Sequence, residues 1–351
     1  MLIDAVYTWV NFLDPAWREQ YNHFAELESR PRRSDPTNTA EIRHSDHGEL
    51  RYSLRSLARY APFIRRVYLV IDGTPPEWLH TDAPGIRVLS SREIFPEGFR
   101  LPVYSSDLIE SFLWRIPDLS EHYVYFNDDM LLAGDCAESD FFDSEGRSIV
   151  RLKPELIGMR IDTREATYSQ MLRNAGRAIR KRLTLRYRPR VDTRKPWVPL
   201  IARRIVQGRA PLNMVAHMAQ PFQRSLWPLF HDTFRQELNS LAASRFRDGR
   251  GFCVNVAYHY LAYAQGRALL TFDSKDMIVA RGLALARPGA WREEIRKARE
   301  NGLKFLCFND GVGGSNEEWA QFIDDTLRET LDVPSPWEKS PAPAGKADEA
   351  Q

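Results

Sequence analysis

Cysteine is scarce in this 351-residue chain: Cys136, Cys253 and Cys307 are few, far apart and odd in number. No CxxC pair and no zinc-module spacing occurs. The sequence therefore writes neither a disulfide scaffold nor a structural zinc knot, and it suits a reducing cytoplasm. Long apolar runs are missing too. No stretch of 18 apolar residues exists, so nothing in the sequence is expected to span a membrane. The opening Met1-Leu2-Ile3-Asp4 has no basic region, and Asp4 interrupts the apolar stretch, which argues against a signal peptide. Net charge is small, +2 from 49 Lys/Arg and 47 Asp/Glu, so no global polyanion-binding signal appears. A composition of 43% hydrophobic and 27% charged residues is that of an ordinary globular protein.

What is present is an alternation of short β-rich runs and helical stretches. Residues 3–10 read as a strand ending at Asn11, and Leu13-Asp14-Pro15 as a turn before a helix over 16–28. Asp46 and Glu49 have capping-box spacing, ahead of an apolar stripe at Leu50, Leu54, Leu57 and Ala61. Val67–Ile71 is a buried strand ending at Asp72-Gly73, and Arg87–Leu89 a short one. Ser106 or Asp107 caps a helix over 108–116. Tyr123–Phe126 is the next strand, closed by Asn127-Asp128-Asp129. This β-α-β-β-α-β order predicts the α/β class: an open mixed, largely parallel nucleotide-binding sheet with flanking helices and a helical, Arg-rich insertion.

The organisation expected is an N-terminal part of the catalytic core over 1–150 and a basic, mostly helical or loop insertion over 151–215. A C-terminal part over 216–332 completes the core, and a disordered tail follows over 333–351. Between Arg173 and Arg209 there are 13 Lys/Arg against one acid, Asp192. Prolines forbid one continuous amphipathic helix there. The C-terminal part is read as helices near 223–243 and 254–265, a strand over 268–272, a helix over 290–300, a strand over 304–308 and a helix over 316–331.

Asn127-Asp128-Asp129 is the most informative motif. In an open α/β sheet, ligands bind beyond the carboxyl ends of the strands. Adjacent carboxylates there suit Mg²⁺ and a phosphate-bearing substrate. Taken alone, such a pair is more often a turn or a helix cap. Asn11 and Asp72 end two other strands, and Asn309-Asp310-Gly311 repeats the pattern late in the chain.

Four separated blocks resemble the four regions of the Stealth family. That family includes bacterial capsule and exopolysaccharide phosphotransferases and is related to the catalytic subunit of the lysosomal N-acetylglucosamine-1-phosphotransferase. The first block is Ile3–Asn11 with Asp14-Pro15. The second runs from Glu49–Leu57 through Ala61-Pro62, Val70–Gly73, Pro76–Leu79, Leu101–Ser106 and Ile109-Glu110 to Tyr125–Asp129. The third is His217-Met218 with Gln220–Phe222, and the fourth is Phe305–Asp310. Two positions depart from the pattern. Phe12-Leu13 stand where a small residue is usual, and Cys253 stands where an acid is usual, so no role is carried over to it.

The resemblance implies transfer of a sugar-1-phosphate from a nucleotide-sugar, commonly a UDP-sugar, to a hydroxyl of a saccharide or polysaccharide acceptor. Asp128 and Asp129 are candidates to hold Mg²⁺ or, in one case, to take the acceptor proton, with Asp310 as a third metal ligand. His217 is the candidate base or phosphate partner. Arg247 is the phosphate-binding candidate, with Arg245 its rival. Arg51 and Arg55, one helical turn apart, are candidates to reach phosphate. Tyr7, Trp9, Asn11, Asp72, Glu110, Asn127 and Asn309 complete the expected substrate site. The basic segment 173–209 is read as a peripheral contact with anionic lipid at the inner face of the membrane, as a grip on an acceptor that carries phosphodiesters, or as a solvated surface.

Three alternatives stay open, one of them a family member that binds without reacting, which the Cys253 departure allows. A glycosyltransferase would use the same donor and metal but move the sugar alone. A non-catalytic polyanion binder is the distant second, and nucleic acid is not an expected partner, because no recognised binding motif accompanies the basic segment.

Overall fold

The structure is a computed structural model, and it describes residues 1–28, 47–157, 166–186, 212–272, 276–281, 286–309 and 316–340. Its centre is strand β1 (Ile3–Val10), whose residues are buried on both sides nearly throughout. At its end, Asp14 caps helix α1 (Pro15–Leu27) by accepting from the Ala16 and Trp17 amides, and Pro15 fills the first turn. Helix α2 (Glu49–Tyr60) buries the expected stripe of Leu50, Leu54 and Leu57. Its start differs from the expected capping box. Gly48 is the cap residue, the Glu49 carboxylate accepts from the His47 amide at 2.8 Å, and Asp46 lies outside the described residues.

Strands β2 (Ile64–Asp72) and β3 (Ile86–Ser90) follow, then the short helix α3 (Ser106–Glu110) and strand β4 (His122–Asn127). β1 pairs in parallel with β2 on one side and with β4 on the other, and β2 pairs in parallel with β3. The turn after β2 needs its glycine. Gly73 sits at φ +83°, and a Cβ there would come within 3.2 Å of both Asn11 Cβ and Asp14 Oδ2.

Two further strands come next: β5 (Met130–Leu132) and β6 (Ser148–Leu156). Helix α4 (Ala166–Arg182) precedes strands β7 (Asn213–Val215) and β8 (Gln220–Gln223). Helices α5 (Trp227–Thr233), α6 (Arg235–Ala242) and α7 (Val254–Ala264) lead to strands β9 (Ala268–Thr271) and β10 (Met277–Arg281). Helix α8 (Pro288–Glu300), strand β11 (Phe305–Asn309) and helix α9 (Asn316–Leu327) complete the order.

β8 joins the antiparallel edge of β4, giving a five-stranded sheet β3-β2-β1-β4-β8. Smaller sheets β10-β11-β5 and β7-β6-β9 flank it. The expected α/β class, mixed and largely parallel, is therefore what the chain forms. Strand alternation divides the interior in two. Val6, Val70, Tyr123 and Tyr125 face one core with α4 and α7. Ala5, Tyr7, Leu69, Val124 and Phe126 face the other, roofed by α2, β5 and β11.

Three expectations about organisation need correcting. The insertion does not begin at 151, because β6 runs through that boundary and is held by β7 and β9, partners 57 to 120 residues away in sequence. The helix expected near 223–243 is broken into a strand, a 3₁₀ turn and two short helices. The tail is not disordered from 333. Ser335, Trp337 and Glu338 are buried, and the segment bridges to Leu79, with the His80 amide donating to the Trp337 carbonyl at 2.8 Å and the Lys339 amide to the Trp78 carbonyl at 2.8 Å. Residues 341–351 lie outside the described residues.

Glu338 is the anchor of this segment. Its side chain is 1% exposed and takes Arg55 Nε at 2.7 Å, Arg55 Nη2 at 2.8 Å and Arg51 Nε at 2.6 Å. Burial alone would raise its pKa, but Arg55, the Ser335 amide and Arg51 together outweigh burial and bring it down to about 2. A lowered carboxylate pKa stabilises the fold above the unfolded value, and that stability fades as pH falls toward 2. Glu338→Gln is expected to cost about 3 kcal/mol at pH 7, the range for breaking a buried pair. Most of that runs through Arg55, because the exposed Arg51 is screened. In denaturant melts the gap between wild type and variant should close between about pH 4 and pH 2. A gap independent of pH would contradict this reading.

Candidate active site at the junction of two sheets

Asp128 and Asp129 are the whole connection between β4 and β5, so the chain leaves the central sheet and enters the second sheet across this pair. β11 runs antiparallel to β5 with Cys307 opposite Met130, and the Phe308 amide donates to the Asp129 carbonyl at 2.9 Å. β8 begins opposite Tyr125, near the carboxyl end of β4, so the residues just before it come alongside the same junction. Three remote stretches of sequence thus meet at one sheet edge. His217 Nε2 lies 3.4 Å from Asp129 Oδ2, the Cys307 thiol donates to that oxygen at 3.3 Å, and Asn309 Nδ2 donates to it at 3.5 Å. The other oxygen, Asp129 Oδ1, is buried without a hydrogen-bond partner among the described residues. The site is open, with the His217 side chain 32% exposed and that of Asp129 20%.

A second polar group lies on the opposite face of β4. The Tyr125 hydroxyl donates to Asn127 Oδ1 at 2.6 Å, shares a 2.8 Å hydrogen bond with Thr8 Oγ1, and lies 3.4 Å from Glu110 Oε1. Arg247 Nη2 reaches Asp107 Oδ2 at 3.1 Å and donates to Ser106 Oγ at 2.5 Å. Asp107 Oδ1 accepts the Val254 amide, the first of α7. Cys253 sits at the cap position of α7 with no side-chain capping bond. Asp107 thus satisfies from another element one of the free amides at the start of α7. Burial raises the Cys253 thiol pKa well above the usual value, and Asp107 adds to the rise, so the thiol stays protonated. Burial also raises the Glu110 pKa well above the usual glutamate value, reinforced by the nearby Asp107 charge and opposed by Arg247.

The expected site residues separate into groups. Asp128, Asp129, His217, Asn309, Asn127, Glu110 and Arg247 fall at the carboxyl edge of β4 or on the elements beside it. Arg247 lies beside Asp107 and Ser106, whereas its rival Arg245 pairs with Glu28 and stacks over Phe24. Tyr7 and Trp9 do not line a pocket. Tyr7 is 0% exposed, stacks on Phe126 at 4.8 Å and accepts from Ser53 at 3.1 Å, and Trp9 is buried in the same core. In a strand covered on both faces, an aromatic has no open side. Asn11 uses its amide on Thr74, fixing the loop after β2. Asp72 is held by Ser91 at 2.5 Å. Arg51 and Arg55 are engaged by Glu338, although they also line a cavity of about 490 Å³ with His47, Tyr52, Gln321 and Asp324. Asp310 lies outside the described residues.

Sequence reasoning missed Cys307, Asp107 and Tyr125. Cys307 lay inside the fourth block but read as an apolar strand residue, and Asp107 read as a helix cap. Of the basic segment, Arg173–Arg182 belongs to α4, where Arg182 pairs with Glu237, and residues 187–211 lie outside the described residues. No helix among the described residues is long and apolar enough to cross a membrane.

For Mg²⁺, one or two carboxylates joined by substrate phosphates are the usual donors. Asp128 and Asp129 can supply them, and the unpartnered Asp129 Oδ1 is an oxygen to which a cation could bind.

Residues 1–24, 43–150 and 293–349 match conserved regions 1, 2 and 4 of Stealth proteins. The chain belongs to the Stealth family. The Stealth regions carry β1, the elements from α2 to β4 with Asp107, Glu110, Asp128 and Asp129, and the stretch from β11 to Glu338. An exopolysaccharide phosphotransferase of Streptomyces coelicolor is 34% identical over 96% of this chain and 51% of its own length. An exopolysaccharide phosphotransferase of Mycobacterium leprae is 32% identical over 96% and 57%. A capsular polysaccharide phosphotransferase of Haemophilus influenzae is 27% identical over 90% and 79%. The chain thus spans little more than half the length of the first two relatives. Among solved structures, the galactosyltransferase LgtC matches at a TM-score of 0.44 with 12% identity, covering 95% of this chain and 98% of that one. The glycosyltransferase GlyE of Streptococcus pneumoniae matches at 0.41 with 13% identity, covering 97% and 66%. Neither likeness bears on the reaction.

The raised Glu110 pKa has a measurable consequence in this Stealth protein. The folded state favours the protonated acid, so its stabilising effect is complete at low pH and is lost as pH rises through the raised value. Glu110→Gln should leave the melting temperature unchanged near pH 4 and raise it relative to wild type at pH 9. A melting difference that does not grow with pH would refute the assignment.

Proposed function

We propose that this protein transfers a sugar-1-phosphate from a nucleotide-sugar, a UDP-sugar by preference, to a hydroxyl of a saccharide acceptor in exopolysaccharide or capsule synthesis. The reading is supported chiefly by one observation: Asp129, His217 and Asn309, brought from three parts of the chain, meet beyond the carboxyl end of β4 in a protein related to polysaccharide phosphotransferases. In the proposed reaction the acceptor oxygen forms a bond to the phosphorus that bears the sugar. The bond from that phosphorus to the bridging oxygen breaks, and the nucleoside monophosphate leaves with the electron pair.

Such chemistry is mostly positioning and charge stabilisation. His217 takes the acceptor proton, and Asp129, 3.4 Å away, orients the imidazole. Arg247 faces the phosphates from the other side of β4. Asp107 and Ser106 fix its guanidinium, so little ordering remains at the moment of reaction. Mg²⁺ held by Asp128 and Asp129 would supply further charge neutralisation on the diphosphate. The basic groups of the segment 173–209 would meet an anionic acceptor or membrane lipid.

A screen of UDP- and GDP-sugars with oligosaccharide acceptors tests this through the nucleotide released. UMP or GMP is the expected product. Release of the nucleoside diphosphate would instead make the protein a glycosyltransferase. His217→Ala and Asp129→Asn should each lower kcat by about 10²–10⁴-fold while the fold is retained. Full activity in both variants would remove this site from the mechanism.

A further inference from the structure

Asp129, His217 and Cys307 form more than a hydrogen-bonded group. Their ligand atoms, a carboxylate oxygen, an imidazole nitrogen and a thiol sulfur, all lie within 4.8 Å of one another. They come from the β4–β5 link, the segment before β8 and the middle of β11, so the sheet framework rather than a flexible loop holds two of the three. The separations are informative. A tetrahedral ion with ligand bonds of about 2.0–2.3 Å places its ligands roughly 3.3–3.8 Å apart. The observed oxygen–nitrogen and oxygen–sulfur distances are 3.4 and 3.3 Å, and the nitrogen–sulfur separation is within 4.8 Å. Octahedral Mg²⁺ at about 2.0–2.1 Å would need its neighbouring ligands nearer 3 Å apart, and it does not favour sulfur. His217 is exposed enough to give an ion a way in, and Asp129 Oδ1 is buried with no hydrogen-bond partner among the described residues, an oxygen left available to an ion.

We infer that Asp129, His217 and Cys307 form a binding site for a borderline divalent transition-metal ion of the Zn²⁺ class, separate in chemistry from the Mg²⁺ expected for the reaction. Binding displaces the thiol proton of Cys307 to solvent and leaves the fourth tetrahedral position open. Because Asp129 and His217 also serve the proposed reaction, Zn²⁺ here competes with it and acts as an inhibitor. The binding claim rests on geometry and stands apart from the phosphotransferase reading.

Co²⁺ titration of the metal-free full-length protein tests it without measuring turnover. One Co²⁺ per chain should produce a thiolate-to-cobalt charge-transfer band in the near ultraviolet. Stoichiometric Zn²⁺ should remove the band, and excess Mg²⁺ should not. Cys307→Ser should abolish the band, whereas Cys136→Ser should keep it. His217→Gln, at an accessible side chain that the fold does not need, should weaken Co²⁺ binding by at least the roughly 10–100-fold that even outer-shell partners contribute. Absence of the band, its survival in Cys307→Ser, or unchanged affinity in His217→Gln would overturn the proposal.

Discussion

The arrangement depends on a two-residue link. Asp128 and Asp129 carry the chain from the central sheet into the second, and the Phe308 amide holds the Asp129 carbonyl from the other side. A link this short cannot relax independently of the strands at its ends. The backbone of both sheets therefore fixes where the Asp129 carboxylate stands. His217 and Asn309 reach that carboxylate because β8 and β11 are themselves held by neighbouring strands, not because they are near it in sequence.

The same link separates two environments. On one face of β4, Tyr125, Asn127, Glu110 and Arg247 form a buried network in which a carboxylic acid is kept neutral by desolvation and by a neighbouring carboxylate. Beyond the strand end, Asp129 and His217 are open to solvent. Cys253 fits this picture. An acid at that position would add a second negative charge beside Asp107, next to the neutral Glu110, whereas a buried neutral thiol adds none.

The stabilising interactions are also shared over long distances. The segment around Glu338 closes over α2 by neutralising Arg51 and Arg55 and by pairing with the backbone near Leu79. Two arginines that look like phosphate ligands in sequence are in fact the counter-charges of a buried glutamate, an arrangement that only a folded chain can display. The cavity they still border lies between α2 and α9.

The sequence by itself determined the α/β class, the parallel core strands, most helix limits and the residues that mark the family. Those features are local: apolar alternation, Asp14-Pro15 at a helix start, Asp72-Gly73 at a turn, and Asn127-Asp128-Asp129 after an apolar strand. It placed Asp129, His217 and Asn309 in one site by resemblance, and the packing brought them together. It could not tell that Tyr7 and Trp9 face a covered core, that residues 333–340 are ordered by a buried charge, or that Cys307 faces Asp129. Each of those facts turns on what covers a side chain. Coverage comes from strands and helices 50 to 280 residues away, which leave no mark on local composition. Tertiary structure decided them because desolvation and ion pairing act through space, while sequence patterns report only on near neighbours along the chain.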